Sequence, residues 1–163
     1  MIDLPLGWTV ALNVLVWPLW QMTVSYLSFR LPVAWFKPES GFFAPFFFER
    51  GVFFYDKLLR IRSWKSLLPD GAAFFAGAFR KQRVAGRDRA YLARFRIETC
   101  RGEAAHWVSF AFFPVFALWN PPWAVVVMFV YATLANLPCI LAQRYNRFKL
   151  TEILSVSPRR RGG

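Results

Sequence analysis

Two long stretches of this chain carry no charged residue, and the stretch between them carries most of the charge. Residues 4–29 are uncharged, and so are residues 104–143. A helix needs roughly 20 apolar residues to cross about 30 Å of hydrocarbon, so the first stretch predicts one membrane span over residues 4–29. The second stretch is too long for one span, and residues 120–122 (Asn-Pro-Pro) are a turn signal near its middle. We therefore predict two antiparallel spans there, over 104–119 and 123–143.

The charges are distributed unevenly around these spans. Residues 30–103 hold 15 of the 21 Lys and Arg residues and seven of the nine acidic ones, and residues 144–163 hold the other six basic residues. The extreme N-terminus and the turn at 120–122 hold none. Because basic loops stay on the cytosolic side, the pattern predicts an outside N-terminus, a cytosolic basic segment 30–103 and a cytosolic tail 144–163. The N-terminus lacks the basic start of a signal peptide, so we expect residues 4–29 to remain as a span.

The basic segment contains a phenylalanine-rich run that is too short to cross a membrane. Residues 42–55 are strongly aromatic but are interrupted by Glu49 and Arg50. Such a run is expected to lie in the cytosolic interface or to re-enter the bilayer, and the pattern leaves both open for residues 36–55. Residues 56–70 alternate basic and apolar positions, which predicts an amphipathic helix on the membrane surface. The expected fold is an all-α integral membrane protein, a single domain over residues 1–163 with about three transmembrane helices.

Composition supports this class and excludes others. The chain is 56% hydrophobic and 20% aromatic, with a mean hydropathy of +0.31, which leaves too little polar surface for a soluble domain of 163 residues. The net charge of +12 fits charges concentrated in a few water-facing segments, and nucleic-acid binding is not expected. The two cysteines, Cys100 and Cys139, lie far apart without metal-ligand spacing, so neither a disulfide nor a metal site is expected.

The only histidine, His106, lies where the charged segment meets the second predicted span. On a helix, Thr99, Glu103 and His106 fall within about 60° of one another and share a face. A carboxylate one turn from an imidazole is a candidate general-base pair, in which Glu103 orients His106. The alternative is a histidine that only hydrogen-bonds a backbone carbonyl. Glu98 and Arg101, three residues apart, can pair with each other, and Thr99 can bond its own backbone.

The third predicted span carries polar residues on one face. Asn136, Gln143 and Arg147 are seven and four residues apart, and polar residues in a span usually face protein or a water-filled cavity. Arg144, Asn146 and Arg147 follow on the basic side. The arginines either anchor the helix end in the headgroup region or clamp a phosphate, because guanidinium groups match phosphate oxygens bidentately.

A further group of chemically active residues lies in the basic segment. Arg62, Trp64 and Lys65 precede Asp70 and Gly71, which form a turn signal after a proline. Asp70 either positions a substrate hydroxyl or stabilises the turn.

In these residues the sequence resembles the glycosyl-4,4′-diaponeurosporenoate acyltransferases of bacterial carotenoid biosynthesis. The resemblance covers about residues 55–154, and the first predicted span resembles the family only in hydrophobicity. A minor departure is Phe148-Lys149 after the third motif. The matching motifs are Arg62-x-Trp64-Lys65 with Asp70-Gly71, Glu98-Thr99-x-Arg101-x-Glu103-x-x-His106-Trp107, and Asn136-x-Pro138 leading to Arg144-Tyr145-Asn146-Arg147-x-x-Leu150.

The resemblance implies transfer of a fatty acyl group to a sugar hydroxyl of a glycosylated carotenoid, or of a similar isoprenoid glycolipid, at the bacterial cytoplasmic membrane. We expect His106 and Glu103 to be catalytic, acyl-CoA or acyl-carrier protein to be the co-substrate, and no other cofactor. Anionic inner-leaflet lipids are expected partners of the basic segment. Arg101, Asn146 and Arg144 are candidate donors to the oxyanion. The expected substrate-binding residues are Glu98, Thr99, Arg101, Asn136, Arg144, Asn146, Arg147, Arg62, Trp64, Lys65 and Asp70.

A non-enzymatic alternative stays open at this point. Eight tryptophans and nineteen phenylalanines also suit a membrane protein that binds a pigment or lipid, or a subunit of a larger membrane complex. A simple lipid-surface anchor is the weaker alternative, because it leaves the polar residues inside two of the spans unexplained.

Overall fold

Every regular element in the described part of the chain is helical. The structure, a computed structural model, describes residues 2–39, 41–49, 51–68 and 88–156. The α-helices are α1 (Leu6–Arg30), the short α2 (Ile61–Trp64), α3 (Arg89–Phe110) and α4 (Pro122–Ser155). Shorter elements complete the chain: 3₁₀ turns at Val33–Trp35, Gly41–Phe43, Lys65–Leu67 and Phe113–Leu118, and a π-helical turn at Phe54–Leu58. The predicted all-α class is confirmed for these residues.

Two helices, α1 and α4, are long and apolar enough to cross a membrane, with mean hydropathies of 1.2 and 2.1. Helix α1 matches the predicted span 4–29 closely. Helix α4 begins where the span 123–143 was predicted to begin, but it continues to Ser155. The helix thus runs without interruption from the predicted span into the predicted tail, and the start of the tail at residue 144 stays a prediction. The helix continues because Leu150, between one and two turns from its end, is buried against α3.

Helix α3 begins well before the predicted second span. The side chain of Asp88 caps its start by accepting a hydrogen bond from the amide of Ala90 at 3.0 Å. The predicted boundary at residue 104 thus falls inside one continuous helix. The helix extends into the basic segment because Leu92 and Phe95 pack on Leu150 of α4. Beyond its last residue, Phe110, the chain continues through the 3₁₀ turn toward α4, so residues 104–119 are not one uniform helix.

Helix α1 packs along this pair of helices through contacts at both of its ends. Near its start, Asn13 and Asn120 exchange reciprocal amide hydrogen bonds, both of 2.9 Å. Just after its end, the carbonyl of Leu31 accepts a hydrogen bond of 2.9 Å from Arg101. The uncharged turn between α3 and α4 therefore lies near the start of α1, and Arg101 lies at the far end of α1. Between them, Trp17 and Phe116 form a core with Ala132.

The segment before α3 docks onto α4 and does not form the single surface helix predicted over residues 56–70. The chain is broken at Arg60, whose φ of +48° is left-handed and ends the π-helical turn. The break lets the buried side chains of Tyr55 and Ile61 pack together on Tyr145 of α4. Burial of these apolar side chains stabilises the segment more than the regular helix that the alternating pattern favours would. Residues 69 and 70 lie outside the described part of the chain.

Candidate active site

A buried network of ion pairs joins the aromatic segment to α3 and α4. At its centre, Arg144 of α4 binds Glu49 through two hydrogen bonds, from Nε to Oε1 at 2.6 Å and from Nη2 to Oε2 at 2.5 Å. Arg144 Nη1 also donates to Glu103 Oε1 of α3 at 2.7 Å. The carbonyl of Ala44 accepts a further bond of 3.0 Å from Nη2. At least four of the five N–H groups of this guanidinium are therefore bound within the protein.

Glu103 is the second centre of the network. Its other oxygen, Oε2, accepts a hydrogen bond of 2.5 Å from Arg147 Nη2, one turn beyond Arg144 on α4. Trp107 donates its indole N–H to Oε1 at 3.4 Å. The side chain of Glu103 is completely buried, and these neighbours compensate its charge. The spacing of Arg144 and Arg147 puts both on the face of α4 that packs on α3.

We call these four residues the ion network: Glu49, Glu103, Arg144 and Arg147. The negative charges of its two carboxylates balance the positive charges of its two guanidinium groups. All four are buried, and the removal of such charges from water is costly unless each is paired. Aromatic rings cover the network on one side, with the Phe46 ring centre 4.1 Å and the Phe43 ring centre 5.8 Å from the guanidinium carbons. The phenylalanine-rich segment thus encloses the network.

Glu49 has a lowered pKa despite its burial. Burial alone raises the pKa of a carboxyl group, but hydrogen bonds from Arg144, Tyr55 and the Phe46 amide together outweigh it. The Tyr55 hydroxyl donates to Glu49 Oε1, and burial together with this carboxylate raises the pKa of Tyr55. Glu49 is therefore held ionised and Tyr55 neutral.

His106 contacts α4 one to two turns away from the ion network. Its Nδ1 lies 3.2 Å from Oδ1 of Asn136, and Asn136 Nδ2 donates to the carbonyl of Ala132 at 2.9 Å. Asn136 is completely buried and His106 is partly exposed. The prediction that His106 and Glu103 share a face is confirmed, because both point toward α4. The contact of His106 with Asn136 was not foreseen, and a direct pairing of Glu103 with His106 stays a prediction.

Of the first motif, Arg62-x-Trp64-Lys65, two side chains contact α4 and one bonds its own segment. Arg62 Nε donates to the hydroxyl of Tyr145 at 3.0 Å, and Lys65 Nζ donates to Oδ1 of Asn146 at 3.3 Å. Both side chains thus reach α4. Trp64 donates its indole N–H to Leu59 of its own segment at 3.0 Å. Asp70 lies outside the described residues.

Several predicted site residues have structural partners. The Glu98–Arg101 pair is confirmed at 3.3 Å, and Arg94 binds the same carboxylate at 2.8 Å. The Thr99 hydroxyl donates to the carbonyl of Arg96 at 2.6 Å, which confirms the expected bond to its own helix. Arg101 also donates to the carbonyl of Leu31 just after the end of α1, so it connects two helices, whereas these bonds of Glu98 and Thr99 lie within α3.

The burial of Arg144 and Arg147 against carboxylates fits neither function expected for them. A headgroup anchor and a phosphate clamp both require exposed guanidinium groups, whereas these residues are 2% and 5% exposed. The carboxylate that explains this, Glu49, was missed as a site residue. The sequence does show Glu49 as an acidic residue within the aromatic residues 42–55, but it predicts only that this residue interrupts a hydrophobic run.

Cys100 lies beside the ion network and is buried. Its sulfur is 3.6 Å from Arg147 Nη1, and burial raises the pKa of the thiol. Because the thiolate is the nucleophilic form, this position is poorly suited to covalent catalysis. Within the described ranges, no group of three or more His, Cys, Asp or Glu residues could hold a metal ion.

Comparisons with known proteins identify relatives of this chain. The family described as "Glycosyl-4,4′-diaponeurosporenoate acyltransferase" matches residues 32–156. Curated proteins of that name from Staphylococcus aureus strains bovine RF122 / ET3-1 and USA300 are each 31% identical over 145 residues, which is 88% of this chain and 87% of theirs. The protein of strain Newman is 30% identical over the same length. No solved structure matches significantly.

Proposed function

Since the chain belongs to the glycosyl-4,4′-diaponeurosporenoate acyltransferase family, we propose that it transfers a fatty acyl group from an acyl thioester to a sugar hydroxyl of a membrane-embedded glycoside. The acceptor is a glycosylated carotenoid or a similar isoprenoid glycolipid. Family membership favours an enzyme over the non-catalytic pigment or lipid binder that the composition left open. The donor, the catalytic residues and the arrangement in the membrane are our proposals.

The observation that carries the mechanism is the contact between His106 and Asn136. Asn136 Nδ2 donates to a backbone carbonyl, so its Oδ1 is the atom that faces the imidazole. An amide oxygen only accepts hydrogen bonds, so His106 Nδ1 carries the proton and donates it. In that tautomer the basic lone pair is on Nε2. Asn136 therefore orients His106 as a general base, which is the role the sequence-based interpretation had given to Glu103.

Acyl transfer at this base involves two proton transfers, one to His106 and one from it. His106 Nε2 accepts the proton of the sugar hydroxyl as its oxygen attacks the thioester carbonyl, which forms a tetrahedral intermediate. The intermediate expels the thiolate, and the imidazolium returns the proton to that sulfur. An ester and a free thiol result, and His106 ends in its starting state. General-base catalysis of this kind contributes typically 10²–10⁴-fold in rate.

The ion network supports this site without taking part in the chemistry. Arg144 has most of its N–H groups engaged, and Arg101 donates to Leu31 and Glu98. Both are therefore poor choices for the oxyanion donors that we had expected. We assign the network to holding the aromatic segment on α3 and α4, so that the phenylalanines provide an apolar cover for the acyl chain or the polyene.

A membrane location with three crossings is supported by exposure and by charge. Only 11% and 22% of the most apolar windows of α1 and α4 are buried in the chain, which leaves apolar surface for lipid. The part of α3 from residue 104 onward, with its 3₁₀ extension, lies beside them and forms the third crossing. The turn at residue 120 faces outward and the basic end faces the cytosol of a bacterial inner membrane.

The test is ester formation by the purified protein in detergent. Wild type is given labelled acyl-CoA, or acyl-carrier protein bearing the same acyl group, and a glucosylated carotenoid. We expect ester from wild type and a loss of about 10²-fold or more in His106→Ala. A matched control is Thr23→Ala, because Thr23 is exposed and bonds only its own helix. Equal rates for wild type and His106→Ala would remove His106 from the mechanism.

A further inference from the structure

A second cluster of basic side chains lies beyond the ion network, where the segment before α3 meets α4. Lys65 Nζ lies 3.3 Å from Asn146 Oδ1 and 4.6 Å from the centre of the Tyr145 ring. Arg62 Nε donates to the hydroxyl of the same tyrosine at 3.0 Å. Lys149 lies one turn further along α4, and its positive charge contributes to lowering the pKa of Lys65. We call Arg62, Lys65, Asn146 and Lys149 the basic cluster.

The positive charge of this cluster is only partly compensated. Arg62 pairs with Asp56 at 2.7 Å, and Lys149 pairs with Glu152 at 3.4 Å. In the described part of the chain, no carboxylate lies within ion-pair distance of the Lys65 ammonium group. Burial and the charge of Arg62 lower the pKa of Lys65, as expected for a cation surrounded by more positive than negative charge.

We propose that the basic cluster binds a phosphate group of the acyl donor, an inference that rests on the proposed acyl transfer. Arg62 presents a planar set of N–H donors, its side chain is 63% exposed, and Lys65 adds a compact charge beside it. The Asn146 amide supplies a neutral donor at the same place. The phosphate belongs to coenzyme A or to the phosphopantetheine group of an acyl-carrier protein, two donors that share this chemistry.

The distance between the two sites matches such a donor. Asn136 contacts His106 and Asn146 contacts Lys65, so ten residues of α4 separate the two contacts. At the rise of an α-helix this is about 15 Å along the axis. In both donors the flexible pantetheine arm separates the thioester from the nearest phosphate. Ten residues also turn the helix face by about 80°. A donor that runs along α4 and partly around it therefore places its phosphate at the basic cluster and its thioester at His106.

The first experiment compares donors with and without phosphate. Wild type, Lys65→Met and Arg62→Gln are assayed with acyl-CoA, with acyl-carrier protein and with the acyl thioester of N-acetylcysteamine, which has no phosphate. We expect KM for the phosphate-bearing donor to rise about tenfold in each variant, as for loss of one charge-assisted hydrogen bond. With the phosphate-free donor the variants should lose far less activity than with the phosphate-bearing donor, and unfolding transitions compared with that of wild type show that the variants fold. The donor whose KM changes identifies the phosphate source.

Lys57→Met is the matched control, because Lys57 is an exposed lysine of the same segment. It should leave KM unchanged for every donor. Equal effects of Lys65→Met on donors with and without phosphate would overturn the proposal, and so would the absence of any effect on acyl-CoA and acyl-carrier protein.

The second experiment separates failure of this site from failure of acyl transfer. Binding of free coenzyme A and of holo-acyl-carrier protein to the purified protein is measured at equilibrium, without acceptor. Binding by wild type that weakens about tenfold in Lys65→Met supports the site even if no ester is ever formed. Ester formation with unchanged KM and unchanged binding in the variants would overturn the site alone. Retention of phosphatidylglycerol by wild type and its loss in the variants, with donor KM unaffected, would overturn the donor assignment.

Discussion

Arg144 and Glu49 lie 95 positions apart in the chain, and their side chains form two parallel hydrogen bonds of 2.6 and 2.5 Å. A bidentate pair of this kind defines both the distance and the relative orientation of the two groups. It joins the phenylalanine-rich segment to α4 at the level where Glu103 of α3 also reaches Arg144. One arginine therefore connects three parts of the chain that no local pattern relates.

Removal of the Glu49 carboxylate should destabilise the protein strongly. Glu49→Ala leaves Arg144 buried with one carboxylate fewer, and breaking a buried pair in this way costs about 3–5 kcal/mol. Denaturant titration of the free energy of unfolding in detergent measures this. The control is Glu39→Ala, because Glu39 is 65% exposed and its pair with Arg96 is worth about 0–1 kcal/mol. Similar losses in both variants would contradict a special role for the buried pair.

The same pair should make the fold sensitive to acid. The pKa of Glu49 in the folded state is lower than the value of 4.5 for a free carboxyl group, so the unfolded chain binds the proton more readily. The stabilisation is fully present above pH 4.5 and is lost as the pH falls through the folded pKa. Thermal unfolding between neutral pH and pH about 3 should show a steeper decline for wild type than for Glu49→Gln. Parallel curves would show that Glu49 does not titrate in this range.

Asn136 should affect turnover more than substrate binding. Asn136→Leu removes the acceptor of the His106 Nδ1–H, so the imidazole loses its orientation. We expect kcat to fall about 10- to 100-fold with little change in either KM, as part of the 10²–10⁴-fold that a general base supplies. Asn136→Asp, which restores an acceptor at Oδ1, should recover part of the rate. A higher KM with unchanged kcat would instead make Asn136 a substrate contact.

Cys100 should prove unnecessary for the reaction. Its burial raises the pKa of the thiol, so little thiolate is present at neutral pH. Cys100→Ala should keep activity of the same order as wild type. In a Cys139→Ala background, maleimide should label Cys100 only after denaturation. Loss of ester formation in Cys100→Ala, with an unchanged unfolding transition, would point to covalent catalysis.

Helix positions were predictable where length and charge alone determine them. An uncharged run as long as residues 4–29 has few alternatives to one long helix, and α1 follows it closely. The start of α4 at Pro122 was equally clear, because the two prolines cannot continue a preceding helix. Residue 104, where the hydropathy changes, lies inside α3, because a change in hydropathy does not end a helix whose hydrogen bonds and buried face continue.

The sequence predicted which face of α3 carries the candidate site residues, but it did not predict which residues of α4 they contact. Periodicity correctly put Glu103 and His106 on one side of α3. It carried no information about the rotation and axial position of α4 against that side. As a result Glu103 contacts two arginines of α4 and His106 contacts Asn136 of α4, whereas periodicity alone predicts a pairing within α3.

The sequence by itself determined the helical class, the apolar helices α1 and α4 and the polar residues that face inward, because these follow from local periodicity and from the length of the uncharged stretches. Only the tertiary structure decided that Glu49 enters the ion network and that Arg62 and Lys65 join Asn146 and Lys149 of α4 in the basic cluster. Both depend on how an irregular segment folds back on α4. That is governed by the pairing of buried charges and the packing of aromatic rings between segments distant in the chain.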